Sequence, residues 1–123
     1  PKPQNPVQSL LDMEPAKTTY AICILREDGA SGVNGVCKFV QEEGKQTRVV
    51  AEIQGLSAGD HGFHVHEFGN LTEGCKSAGA HFNPEGKEHA GPHDAIRHHG
   101  DMGNITSAGP DKVATLDYQD PLI

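Results

Sequence analysis

The chain has 123 residues, 35% apolar and 22% charged, a balance that suits one globular domain and excludes a disordered polyelectrolyte. Its formal charge of −7 argues against a basic groove for nucleic acid, and no apolar run is long enough to cross a membrane as a helix. The 15 Gly and 8 Pro lie between short apolar runs and Trp is absent, which predicts a turn-rich all-β chain with an aliphatic core.

Residues 1–16 are rich in Pro and polar side chains and read as an extended leader; the folded domain is expected over 17–123. No basic stretch followed by an apolar one opens the chain. A cytoplasmic location is expected, with a secreted form left open because the sequence begins at Pro rather than Met. Alternation then begins. Tyr20, Ile22 and Ile24 share one face, and Ala21, Cys23 and Leu25 the other, a strand with some cover on both sides. Glu27, Asp28 and Gly29 form a turn signal. Cys37 and Phe39 share a face opposite Lys38, and Gly44 marks the next turn. Over 47–54, Val49, Ala51 and Ile53 point one way. HGFHVHEF, residues 61–68, is the fourth strand candidate. From Gly69 to Gly100 periodicity gives way to Gly, Pro, Asn and His, a loop long enough to be expected to carry function. Strands return with DMGNIT and with VATLDY, where Ala114, Leu116 and Tyr118 share a face. Six short strands with close turns predict a sandwich or barrel.

All eight His lie between His61 and His99, a clustering that points to metal chemistry. His64 and His66, two residues apart on a strand, face the same way roughly 7 Å apart and can converge on one ion. Imidazole suits copper and zinc, although an H-x-H pair by itself fits surface or core histidines equally well. His81, His89, His98 and Asp101 supply three imidazoles and a carboxylate, enough for a closed four-coordinate zinc shell, and the intervening Gly and Pro allow tight folding around an ion. The bland alternative is a solvated polar loop. His61, on the opposite strand face from His64, is expected to be a hydrogen-bonding structural residue, and His93 and His99 surface residues. Cys23 and Cys37 are expected to be small buried side chains.

HGFHVHEFG, GC-x-SAG-x-HFNP, HAGP and RHHGDMGN are similar to the signature blocks of copper–zinc superoxide dismutases, over a match running from Lys17 to Ile123. The resemblance implies an immunoglobulin-like Greek-key β-sandwich with a long metal-binding loop, and an enzyme that converts superoxide to dioxygen and hydrogen peroxide by copper redox cycling beside a structural zinc. It implies catalytic copper ligands His64, His66 and His81, with His81 bridging to zinc, and a zinc site completed by His89, His98 and Asp101. It also implies a homodimer and a copper chaperone as partner. Cys75 matches the family's disulfide cysteine, whose usual partner, with the last two strands, the fourth copper histidine and a copper-side arginine, belongs to a family segment expected beyond Ile123. On that reading the domain is C-terminally incomplete. Two further readings stand beside the enzyme: a non-catalytic zinc- or copper-binding variant, and a copper-chaperone-like domain, which would call for a C-x-x-C or C-x-C motif that does not occur here.

Overall fold

The computed structural model describes residues 17–123; the expected leader at 1–16 lies outside them. Six antiparallel strands form two sheets: β1 (Thr18–Leu25), β2 (Asn34–Glu42), β3 (Thr47–Gln54), β4 (Gly59–His64), β5 (Asp101–Ser107) and β6 (Ala114–Asp120). One sheet has the order β1-β2-β3-β6 and the other pairs β4 with β5. The chain leaves the first sheet after β3, makes the β4–β5 pair, and returns to lay β6 against β3, which is a Greek-key path. The only helical element among the described residues is a 3₁₀ turn at Gly74–Lys76.

Period-two alternation decides which faces are buried. In β3, Val49, Ala51 and Ile53 are buried while Arg48, Glu52 and Gln54 are exposed, as expected from the run. Their neighbours in register, Phe39, Cys37 and Gly35 on β2 and Tyr118, Leu116 and Ala114 on β6, lie on the same inward face. Met102 and Ile105 of β5 join this cluster from the other sheet, so one aliphatic core lies between the two layers. Gly35 is required where β2 meets β3, because a Cβ there would lie 2.3 Å from the Glu52 carbonyl oxygen.

β1 departs from expectation. Tyr20, Ile22 and Ile24 are 73%, 62% and 57% exposed, and Cys23 on the opposite face is exposed too, whereas Cys37 is buried. The reason is position: β1 is the sheet's edge and pairs only with β2 among the described residues, so an alternating pattern that reads as half-covered finds little cover. The fourth strand also differs. It spans 59–64 rather than 61–68, because a bulge between Gly62 and His64 ends regular pairing and the backbone beyond bonds to the loop instead.

Core and edge should respond differently to truncation. Ile105→Ala, at a side chain 2% exposed, is expected to cost about 2–5 kcal/mol in urea unfolding, whereas Ile24→Ala should stay within about 0.5 kcal/mol.

Candidate metal centre

Three chain segments meet through backbone hydrogen bonds. The Val65 N–H donates to the Gly100 carbonyl at 2.9 Å, the Phe82 N–H to the Val65 carbonyl at 2.7 Å, and the Gly100 N–H to the Phe82 carbonyl at 2.8 Å. This knot brings His64 and His66, His81, and His98 with Asp101 to one place. It also dictates glycine at position 100, where a Cβ would lie 2.3 Å from the Val65 oxygen and 3.1 Å from Phe82. The loop between His81 and His89 is folded by Asn83, whose side chain donates to the Lys87 carbonyl at 2.8 Å and accepts from the Lys87 N–H at 2.9 Å around Gly86.

Asp101 opens β5 opposite His64 and is fully buried. Its Oδ1 lies 2.7 Å from His89 Nδ1, 3.1 Å from His81 Nδ1 and 3.3 Å from His98 Nδ1, and the His81 and His98 Nδ1 atoms are 3.4 Å apart. Four zinc ligands in tetrahedral array at bonds of about 2.0–2.1 Å stand roughly 3.3 Å from one another. The donor types of His81, His89, His98 and Asp101 suit that ion, and these four separations lie near such a spacing. Asp101 Oδ2 accepts from the backbone N–H groups of Ala90 at 3.0 Å and His98 at 3.1 Å. Burial alone would raise the Asp101 pKa, but these amides and the His89 and His81 rings overcome it and hold the carboxyl at about 2.

The His81 ring is shared. With Nδ1 turned toward Asp101, its face is covered by His64, which stacks on it at a centroid separation of 3.9 Å, and His66 meets it edge-on at 5.4 Å. His64, His81, His89 and Asp101 each offer a ligand atom within 4.8 Å of the others, so His64 approaches the zinc set as well as His66's side of His81. The His66 Nδ1–H donates to the Gly79 carbonyl at 2.9 Å; since a carbonyl only accepts, this fixes the tautomer and leaves Nε2 with its lone pair free. Burial, then the neighbouring His81 and His89, lower the His64 pKa, keeping it neutral and able to ligate.

The remaining residues divide. His61 Nε2–H donates to the Ser57 carbonyl at 2.8 Å, a structural role as expected. His93 is exposed, but His99 is not a surface residue: its side chain is 16% exposed, packed against Phe82, because Gly100 draws this segment into the knot. Cys75 lies exposed on the 3₁₀ turn, and all three cysteines are free thiols. Sequence reasoning missed Arg97. It is fully buried, pairs with Asp120 at the end of β6, and donates to the Asp101 carbonyl oxygen. Asp120 in turn accepts from Tyr118 Oη at 2.8 Å and the Leu122 N–H at 2.8 Å. An arginine between Ile96 and His98 in a polar loop carries no periodic signal that would mark it as buried.

The copper/zinc superoxide dismutase family model matches residues 33–123. The chain belongs to the copper/zinc superoxide dismutase family. Among the family's members, superoxide dismutase (Cu-Zn) 4 of Dictyostelium discoideum is 54% identical over 104 residues, covering 84% of this chain and 67% of its own length. Superoxide dismutase (Cu-Zn) A of Xenopus laevis is 48% identical over 103 residues, covering 84% of this chain and 66% of its own. An extracellular superoxide dismutase (Cu-Zn) of Brugia pahangi is 48% identical over 104 residues, with 51% of its length covered. This family member thus spans about two thirds of the length of the first two relatives and half that of the third. No helix among the described residues is long and apolar enough to cross a membrane.

The metal-free chain should lose stability toward acid. A depressed folded pKa contributes stability that is present above the ordinary value and lost as pH falls through the folded one. Loss should begin below about 6.5, through His64, and Asp101 should add a second limb between 3.8 and about 2. Urea midpoints measured against pH should show both, with the lower limb missing in Asp101→Asn.

Proposed function

We propose that this chain is the metal-binding portion of a superoxide dismutase, with zinc held by His81, His89, His98 and Asp101 and copper by His64, His66 and His81. The observation that carries the reading is the convergence of three imidazole Nδ1 atoms on one Asp101 oxygen, with the His64 and His66 rings in contact with the His81 ring. Copper held there would supply one-electron redox chemistry between superoxide, dioxygen and hydrogen peroxide, beside a zinc whose part is structural.

The chain's own residues prepare that site in three ways. Gly79 and Asp101 set the orientation of the His66 and His81 rings, so that no large reorganisation accompanies loading. His81, whose Nδ1 lies 3.1 Å from Asp101 Oδ1 and whose ring contacts His64 and His66, would be the ring shared between the two metals. Arg97 ties the loop that bears His98 to the end of β6 and so keeps the zinc set in register with the sheet.

The exposed apolar stripe Tyr20, Ile22 and Ile24 on edge strand β1 supports a homodimer, since such stripes mark association surfaces.

Zinc should raise the melting temperature of the chain, because it binds only the folded state, and Asp101→Ala should remove most of that rise by taking away a ligand and the site's negative charge. An unchanged zinc response in this variant would refute the zinc assignment. Dismutation should be visible with both metals bound, and no turnover with both metals retained would favour the non-catalytic metal-binding variant. The cleft of about 780 Å³ against His66 is lined by Arg26 but also by Glu27 and Asp28, and the chain carries −7 overall. Electrostatic steering of an anion should therefore be absent: turnover is expected to hold steady or rise with ionic strength, where a steered enzyme slows.

A further inference from the structure

β6 reaches the metal loop through side chains that are not themselves candidate ligands. Arg97 and Asp120 are both fully buried, a burial that further chain packed nearby would not undo. One terminal nitrogen of the Arg97 guanidinium is paired with Asp120 Oδ1. The other donates to the Asp101 carbonyl oxygen and lies 3.4 Å from the carbonyl oxygens of His98 and His99, so one planar group holds the turn from His98 to Asp101. The Asp101 N–H closes that turn on the His98 carbonyl at 3.1 Å. On the far side, Tyr118 Oη donates to Asp120 Oδ2 at 2.8 Å and fixes the carboxylate. Asp120 is the only carboxylate paired with Arg97 among the described residues. The series Tyr118, Asp120, Arg97 thus runs from β6 to the backbone of two residues proposed as zinc ligands.

We propose that Asp120 and Tyr118 of β6 are positioning residues that set the zinc affinity of the loop site, and that zinc in turn tightens β6. The inference rests on the zinc reading of that site. Two effects act in the same direction. Without the Asp120 charge, the guanidinium loses the partner that aims it, and the carbonyls of His98, His99 and Asp101 lose their common anchor. A shift in that turn moves the His98 ring and the Asp101 carboxylate together. The guanidinium also keeps its own charge, and an uncompensated cation bonded to the backbone of a ligand residue opposes the arrival of a dication. Coupling between binding free energies is reciprocal, so a strand arrangement that favours zinc is favoured by zinc to the same extent.

The test measures zinc affinity by competition with a chromophoric chelator, under conditions where circular dichroism shows each metal-free variant folded. Asp120→Asn keeps the shape and an acceptor oxygen but not the charge, and should weaken zinc binding about 10- to 100-fold. Tyr118→Phe removes a single hydrogen bond and should weaken it about 2- to 10-fold; this milder change carries the test if Asp120→Asn does not fold. With cobalt(II) saturating the site in place of zinc, the visible absorption of the β6 variants should shift from that of the unsubstituted chain, a change in ligand geometry that lowered stability by itself would not produce. In the unsubstituted chain, zinc should slow hydrogen exchange over Ala114–Asp120 more than over Asn34–Glu42, and Tyr118→Phe should erase that excess. If zinc binds the unsubstituted chain and is lost in Asp101→Ala, yet binds both β6 variants with unchanged affinity, the proposal is overturned and the site reading stands. Absence of zinc binding in the unsubstituted chain would overturn both.

Discussion

A carboxylate with no access to water must find its charge and hydrogen-bond partners inside the protein, and Asp101 sets that demand for this fold. The polar groups it uses come from three places along the long loop: the His81 ring, the His89 ring with the Ala90 amide, and the ring and amide of His98. Satisfying one side chain therefore fixes the path of some twenty residues that have almost no apolar surface to bury. The same arrangement, three nitrogens and an oxygen close together, has the donor set a metal shell requires. The demand of the buried charge and the geometry of the site are one constraint.

Arg97 carries that constraint to the sheets. Its guanidinium is buried between the Asp101 carbonyl and the Asp120 carboxylate, so the loop is anchored to β6 and, through β6, to β3 and the aliphatic core. A buried pair of this kind adds little net stability compared with apolar packing, but losing either partner leaves an unpaired charge inside. Its contribution is therefore placement. It holds a loop without an apolar core of its own against the sandwich.

The backbone knot of Val65, Phe82 and Gly100 supplies the third element of order. It ends β4 early, at His64, and so puts His64 and His66 on a chain that is no longer a regular strand. The two rings consequently do not stand side by side on one pleated face. One stacks on His81 and the other meets its edge. The H-x-H spacing singled out this pair by an argument that holds only for an ideal strand.

Much of the fold was legible because alternation depends on local periodicity: Val49, Ala51 and Ile53 are buried wherever the third strand is placed, and the turns follow from Gly and charged residues. The clustering of His81, His89 and His98 about Asp101 was legible because ligand chemistry is written in residue type, and imidazole and carboxylate clusters are scarce. Edge position was not, since Tyr20, Ile22 and Cys23 alternate like any half-covered strand and only the sheet order leaves them exposed. Neither were the burial of Arg97, the packing of His99 against Phe82, nor the meeting of Cys23 with Cys37, because each depends on contacts between segments distant in the chain or on strand register. The sequence by itself determined which side chains can bind metal and which faces are apolar. Tertiary structure alone decided which of them meet, because a loop with no periodicity takes its path from long-range hydrogen bonds and buried charge.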